Sequence, residues 1–154
     1  MKLYKPNSSN TGSAFGFQLG TGTKNKEPSI FMTAIQQFSW NEKTKNGSFT
    51  ENAKNPEKSI SIKLNEMELG GFIYAIEQYV EFSAFHTYEE NKTTISFKPY
   101  TKKSGQKAFS FTVTRNSANK FGMGVEMSEA YALRQFFQFA LNEIYKERQI
   151  ANEK

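Results

Sequence analysis

Ser59-Ile60-Ser61-Ile62-Lys63-Leu64-Asn65-Glu66-Met67-Glu68 changes its hydrophobic period halfway along. Ile60, Ile62 and Leu64 alternate with Ser59, Ser61 and Lys63, the two-residue repeat of a strand with one buried face. From Asn65 the spacing turns helical, with Leu69, Phe72, Ile73, Ile76 and Val80 on one side. Asn65 and Glu68 have the spacing of a capping box, so side chains mark the same boundary. Gly70-Gly71 lies inside this helix. Each Gly there costs about 1 kcal/mol relative to Ala, and close packing of a neighbour is the expected compensation.

The same switch recurs towards the C-terminus. Gly122-Met123-Gly124-Val125-Glu126-Met127-Ser128-Glu129 passes from alternation into a second helix. Its apolar face carries Leu133, Phe136, Phe137, Ala140, Leu141 and Ile144, and it is expected to end near Arg148. Ahead of the first switch, Ala14 to Leu19 and Ser29 to Trp40 read as strands. Between the helices, Phe82 to Glu89, Thr93 to Tyr100, Lys107 to Arg115 and Phe121 to Met127 do so. The order is β-β-β-α followed by β-β-β-β-α, which reads as one unit repeated. The first half is a strand short, and the polar stretch 41–58 has room for one around Gly47-Ser48-Phe49-Thr50. The expectation is an α+β domain over 14–148: two antiparallel four-stranded sheets, each followed by a helix. Residues 1–13 are expected as a flexible arm and 149–154 as a tail.

The composition narrows the chemistry. The 154 residues include no cysteine, so thiolate metal sites and cysteine nucleophiles are excluded, and one histidine, His86, leaves no multi-histidine metal site. No phosphate-binding loop of the GxxxxGK[ST] type and no G-x-S-x-G elbow occurs, and Gly20-Thr21-Gly22 lacks a dinucleotide-site setting. His86 lies near Glu89 and Glu90 without a nucleophile to activate. A non-enzymatic protein without metal or cofactor is expected. No apolar run reaches 18 residues and Met1 to Asn7 has no signal-peptide pattern, so the expected location is cytoplasmic.

Charge and aromatic rings point to a partner. Residues 1–64 carry 9 basic and 4 acidic side chains, 65–91 none and 6, 92–126 7 and 1, and 127–154 4 and 4. Two separated basic regions suit a polyanion better than the net charge of +5 alone indicates. Fifteen Phe, seven Tyr and one Trp make an aromatic-rich chain that is hydrophilic on average. Lysines that track phosphates beside rings that stack on unpaired bases are the means by which sheets hold single strands. The candidates are Tyr4 and Lys5 in the arm, Phe38 and Trp40 at a strand end, and Tyr88, Lys98 and Tyr100 on the even-numbered face of the middle hairpin. Lys102, Lys103, Lys107, Arg115 and Lys120 adjoin them in turns. Phe136, Phe137, Phe139 and Tyr145 give the second helix more apolar surface than one face needs, which suits a subunit interface.

Several of these stretches resemble the Whirly family, within the wider positive-cofactor-4-like and Pur-alpha-like fold group. Tyr4-Lys5 followed by Gly12-Ser13-Ala14-Phe15-Gly16-Phe17 is similar to that family's first-strand motif, with Ser13 replacing its second lysine and Pro6 to Thr11 inserted. Gln37-Phe38-Ser39-Trp40 resembles its Gln-Tyr-Asp-Trp, and Phe109-Ser110-Phe111-Thr112-Val113 its Phe-Asn-Leu-Ser-Val. Val125 to Ile144 resembles its final strand-to-helix passage. The resemblance implies two four-stranded sheets with helices, and tetramers packed through those helices. It also implies single strands running over the sheet edges with bases tucked between neighbouring strands. Plant members carry transit peptides and this chain shows none, which suits a bacterial or phage source. The expected function is largely sequence-independent single-stranded DNA binding in replication, recombination or repair, by a homo-oligomer (dimer or tetramer). An RNA-binding module of the same fold is one alternative. A structural or adaptor β-protein without a nucleic-acid role is another, and an OB-fold binder is a lesser rival.

Overall fold

The computed structural model describes residues 1–20 and 26–153. Four strands build the first sheet: β1 (Lys2–Lys5), β2 (Ser13–Gly20), β3 (Ser29–Gln36) and β6 (Ser59–Leu64), all antiparallel. Between β3 and β6 the chain makes a separate two-stranded ribbon, β4 (Ser39–Asn41) with β5 (Asn46–Ser48), and a short 3-10 turn at Thr50–Asn52. Helix α1 (Glu66–Gln78) comes next. The second sheet is an antiparallel meander of β7 (Phe82–Tyr88), β8 (Asn91–Thr101), β9 (Lys107–Arg115) and β10 (Asn119–Glu126). Helix α2 (Met127–Asn152) closes the chain. The fold is α+β, with antiparallel sheets and two helices.

Local chemistry sets the boundaries. At the switch from β6 to α1, the Asn65 side chain accepts from the Glu68 amide at 2.8 Å, and Glu68 Oε1 accepts from the Asn65 amide at 3.0 Å. Glu126 and Glu129 form the equivalent box at the start of α2. The first helix stops at Gln78, two residues short of the expected Val80, because Tyr79 adopts a left-handed conformation with φ of 54°. Its hydroxyl lies 2.9 Å from the Tyr100 carbonyl and 3.1 Å from the Ala108 carbonyl and shares its one proton between them, which anchors the side chain on the second sheet. The second helix overruns Arg148 to Asn152, since Gln149, Ile150 and Ala151 contain no helix stop. The expected tail is therefore helical to 152. Lys154 and residues 21–25, which include Thr21 and Gly22 of the Gly20-Thr21-Gly22 stretch, lie outside the described residues.

Two expectations about the first sheet are corrected. Its fourth strand is β1, inside the segment expected as an arm, whereas Gly47 and Ser48 belong to the ribbon. Leu3 explains this: it is buried against the core, so residues 2–5 have an apolar side chain to pay in with. The long strand expected from Ser29 to Trp40 also breaks at Gln37. That side chain is buried, accepts from the amides of Asn7 and Gly12 and donates to the carbonyls of Asn7 and Ser39. It takes the hydrogen bonds that ladder neighbours would otherwise make.

The inner faces of both sheets meet both helices in one apolar cluster. Phe72 of α1 lies 5.4 Å from Phe111 of β9, 5.4 Å from Phe97 of β8 and 5.2 Å from Phe137 of α2, ring centre to ring centre. Phe111 in turn meets Phe15 of β2 at 4.8 Å, edge to face. Of the two helical glycines only Gly71 has a packing reason: a β-carbon there would overlap the Phe82 ring, whereas one at Gly70 would meet nothing within 4 Å. Gly71→Ala should therefore lower unfolding free energy by about 1–3 kcal/mol through overpacking. Gly70→Ala should raise it by up to about 1 kcal/mol. Urea denaturation of the two variants checks both signs.

Candidate nucleic-acid interface

The second sheet turns one face to the helices and leaves the other open. Cross-strand register defines the open face row by row. Phe85, Thr94, Thr114 and Lys120 stand side by side across β7 to β10, then Ser83, Ser96, Thr112 and Gly122. Lys98, Ser110 and Gly124 follow, then Tyr100, Ala108 and Glu126. The middle is a carpet of hydroxyls and glycine backbone; rings and lysines stand at its margins. Phe85 is 63 % exposed and Tyr100 37 %. Gly124 makes room for Tyr100: a β-carbon there would lie 2.7 Å from the tyrosine hydroxyl. Among the described residues Lys98 and Lys120 form no ion pair, and neither does Lys92 next to them on β8. The one carboxylate in these rows, Glu126, is taken by Lys102 at 2.8 Å. That hydrogen bond holds the Glu126 carboxyl below its usual range and pushes the Lys102 ammonium up.

Only part of the expected set comes together here. Lys98, Tyr100 and Lys120 share the face, with Lys102 and Lys103 at its end in the turn after β8. Tyr88 does not. The two-residue loop Glu89-Glu90 pairs Tyr88 with Asn91 and Phe82 with Phe97, even with odd, so parity flips across the hairpin. Tyr88 therefore looks to the other side, into a hollow with Phe31, Lys63, His86 and Arg115. Phe85 takes the place on the open face that had been expected for Tyr88. The signal was present in the sequence, since a two-residue turn always joins residues of opposite parity.

The remaining candidates are scattered. Tyr4 lies on the outer face of the first sheet, with its hydroxyl bonded to the Gly47 carbonyl and its ring edge-on to Phe49 at 4.9 Å. The Lys5 ammonium is held by Glu129 at 2.7 Å. Trp40 sits on the ribbon and donates to Glu42 at 2.8 Å. Lys107 lies 5.1 Å over the Tyr79 ring, and Arg115 donates to the Pro56 carbonyl. Phe38 is exposed in a cleft between the two sheets, which Lys58 and Lys120 also line. Two further bonds stitch the sheets at that cleft: the Gly122 amide to Ser13 Oγ at 3.2 Å, and Gln36 Nε2 to the Lys120 carbonyl at 3.2 Å.

On α2 the expected interface set divides. Phe137 is fully buried in the chain's own core and is unavailable to a partner; Phe136 is half-buried. Phe139 and Tyr145 remain about half exposed, as do Tyr131 on the same helix and Tyr74 on α1. His86 does not pair with Glu89 or Glu90. Its Nε2 lies 2.5 Å from Glu68 Oε2, so it ties β7 to the α1 cap. Among the described residues no group of three or more His, Asp or Glu side chains could hold a metal ion, and no helix is long and apolar enough to cross a membrane.

Phe85 and Phe111 are the same residue type with opposite placements, which a stability measurement separates. Phe85→Ser should leave unfolding free energy within about 0.5 kcal/mol of the parent. Phe111→Ala should cost about 3–5 kcal/mol, as a buried ring lost from a packed core. Chemical denaturation followed by circular dichroism reads both.

Comparison with protein-family models, with curated proteins and with solved structures returned no match.

Proposed function

We propose that this protein is a non-enzymatic binder of single-stranded nucleic acid, with the open face of the second sheet as its principal contact surface. The observation that carries the reading is the co-location on that face of two exposed rings, Phe85 and Tyr100, with the unpaired lysines Lys98, Lys120 and Lys92. Between them the cross-strand rows are hydroxyl-rich, and their one carboxylate is paired. Rings of this kind stack on unstacked bases for about 1–3 kcal/mol each, independent of base identity. Lysines at the margins neutralise phosphates, and Ser and Thr hydroxyls donate to phosphate or sugar oxygens. A duplex offers no free base faces, so the face favours single strands.

The finer architecture belongs to the same proposal. In this reading each four-stranded sheet and the helix that follows it form one repeated unit, as the Whirly resemblance implies; the capping boxes at the starts of α1 and α2 support it. The exposed rings on the two helices, Tyr74, Tyr131, Phe139 and Tyr145, are the surface through which copies would associate. A role in replication, recombination or repair in a bacterial or phage-infected cell follows from that reading.

Fluorescence anisotropy with a labelled mixed-sequence single strand, titrated over a salt series, tests the proposal. Each neutralised phosphate contributes about −0.7 to the slope of log affinity against log salt. Replacing Lys98 and Lys120 by Ala should flatten the slope by about 1.4. Phe85→Ala with Tyr100→Ala should weaken binding about ten-fold or more with the slope retained. Tyr88→Ala, on the opposite side of the sheet, should change neither. Undetectable or salt-independent binding by the parent protein would sink the reading.

A further inference from the structure

The hollow on the other side of the second sheet is separate from the open face and has its own chemistry. It is lined from β6, the end strand of the first sheet, and its neighbour β3, and from β7, β8 and β9 of the second sheet. Register sets each wall. Phe31 and Lys63 are direct cross-strand partners on β3 and β6. His86, Thr93 and Arg115 form one row across β7, β8 and β9, and Tyr88 pairs with Asn91 on the same side of the sheet. That row lies one step beyond Ala84, Ile95 and Val113, where the apolar core ends. Phe31 is 41 % exposed and Tyr88 75 %, so neither ring is there to fill the core.

The free charge in the hollow is of one sign. Among the described residues Lys63 and Arg115 form no ion pair. Glu27, which feels the Lys63 charge, is bonded to Arg148 at 2.8 Å. Arg115 gives one nitrogen to the Pro56 carbonyl, which anchors the guanidinium and leaves its other donors for a ligand. His86 is answered by Glu68. No carboxylate lines the hollow; Glu89 and Glu90 stand just past it, in the turn between Tyr88 and Asn91. Its volume of about 430 Å³ falls within the roughly 300–1,000 Å³ of small-molecule sites.

We propose that this hollow binds a free mononucleotide, with the base against Phe31 and Tyr88 and the phosphate on Lys63 and Arg115. Aromatic rings stack on the face of any base, and an anchored guanidinium takes phosphate oxygens through paired hydrogen bonds. Ser61 and Thr87 add hydroxyls that donate and accept alike, so the site takes hold of stacking surface and phosphate without regard to base identity. The acidic turn is why the ligand is one nucleotide: a strand continuing past Tyr88 would bring its next phosphate against Glu89 and Glu90. The site goes beyond the strand-binding reading and does not depend on it.

Isothermal titration calorimetry of the full chain with adenosine 5′-monophosphate, whose purine offers the larger stacking face, tests the proposal, with one site per chain expected. Adenosine, which lacks the phosphate, should bind about ten-fold more weakly or worse. Tyr88→Ala and Lys63→Ala, both at exposed side chains, should each weaken the nucleotide about ten-fold. Neither should change single-strand affinity by more than about two-fold, and saturating oligothymidine should leave nucleotide binding as it was. Four results would each overturn the proposal: no binding at millimolar nucleotide, equal affinity for adenosine, affinity that survives both substitutions, or displacement by oligothymidine. A parent protein that binds the nucleotide at this site and no strand upholds the proposal and overturns the single-strand reading alone.

Discussion

Phe72 and Phe111 hold the layers of this fold together. Phe72 leaves α1 and meets Phe97 of β8, Phe111 of β9 and Phe137 of α2; Phe111 reaches across to Phe15 of the first sheet. Neither sheet could cover its own apolar face alone, and neither helix could stand in water with those rings exposed. The tilted and edge-on geometries are those that aromatic quadrupoles favour, which adds about 0.5–1.5 kcal/mol per pair to the area term. Because the rings are shared, the position of one sheet constrains the other. The cleft and the open face inherit their geometry from that constraint.

The helix caps form a second set of cross-links. Glu68 closes the box at the start of α1 and also holds His86 on the first strand of the second sheet. Glu129 closes the box of α2 and holds Lys5 on the first strand of the first sheet. Each capping glutamate thus binds one strand of the opposite sheet. The Glu129 contact also explains why Lys5, basic and near the N-terminus, serves structure: its charge is committed to a half-buried carboxylate.

Two of the aromatic populations in this hydrophilic chain stand apart from the exposed rings on the helices. Phe15, Phe17, Phe72, Phe97, Phe109, Phe111, Phe121 and Phe137 are fully buried and pack among the aliphatic residues of the core. Phe31, Phe38, Phe85, Tyr88 and Tyr100 are exposed beside lysines or an arginine, on the sheets and at the cleft between them. The first set accounts for the fold, and the second supplies the exposed rings on which the proposed function rests.

The strands of the second sheet, the start of α1 and its capping box were legible in the sequence because local rules decide them: two-residue alternation, helical spacing and a four-residue cap. So was the basic character of 92–126, where Lys98, Tyr100 and Lys120 do share a face. What sequence could not decide was long-range pairing. Residues 2–5 become a strand only because β2 is there to receive Leu3, and Ser29 to Trp40 breaks only because Gln37 finds its partners in the loop at Asn7 and Gly12. Phe137 and Phe139 are two residues apart on one helix, yet one is core and the other surface, since their directions differ by about 200° around the axis. The residues that line the cleft come from separate segments, and no local pattern announces their meeting. Local periodicity determines most of the elements; tertiary structure determines the edge strand β1, the point where β3 ends and which side chains share a face, because contacts between distant segments depend on register and packing that no single window of sequence contains.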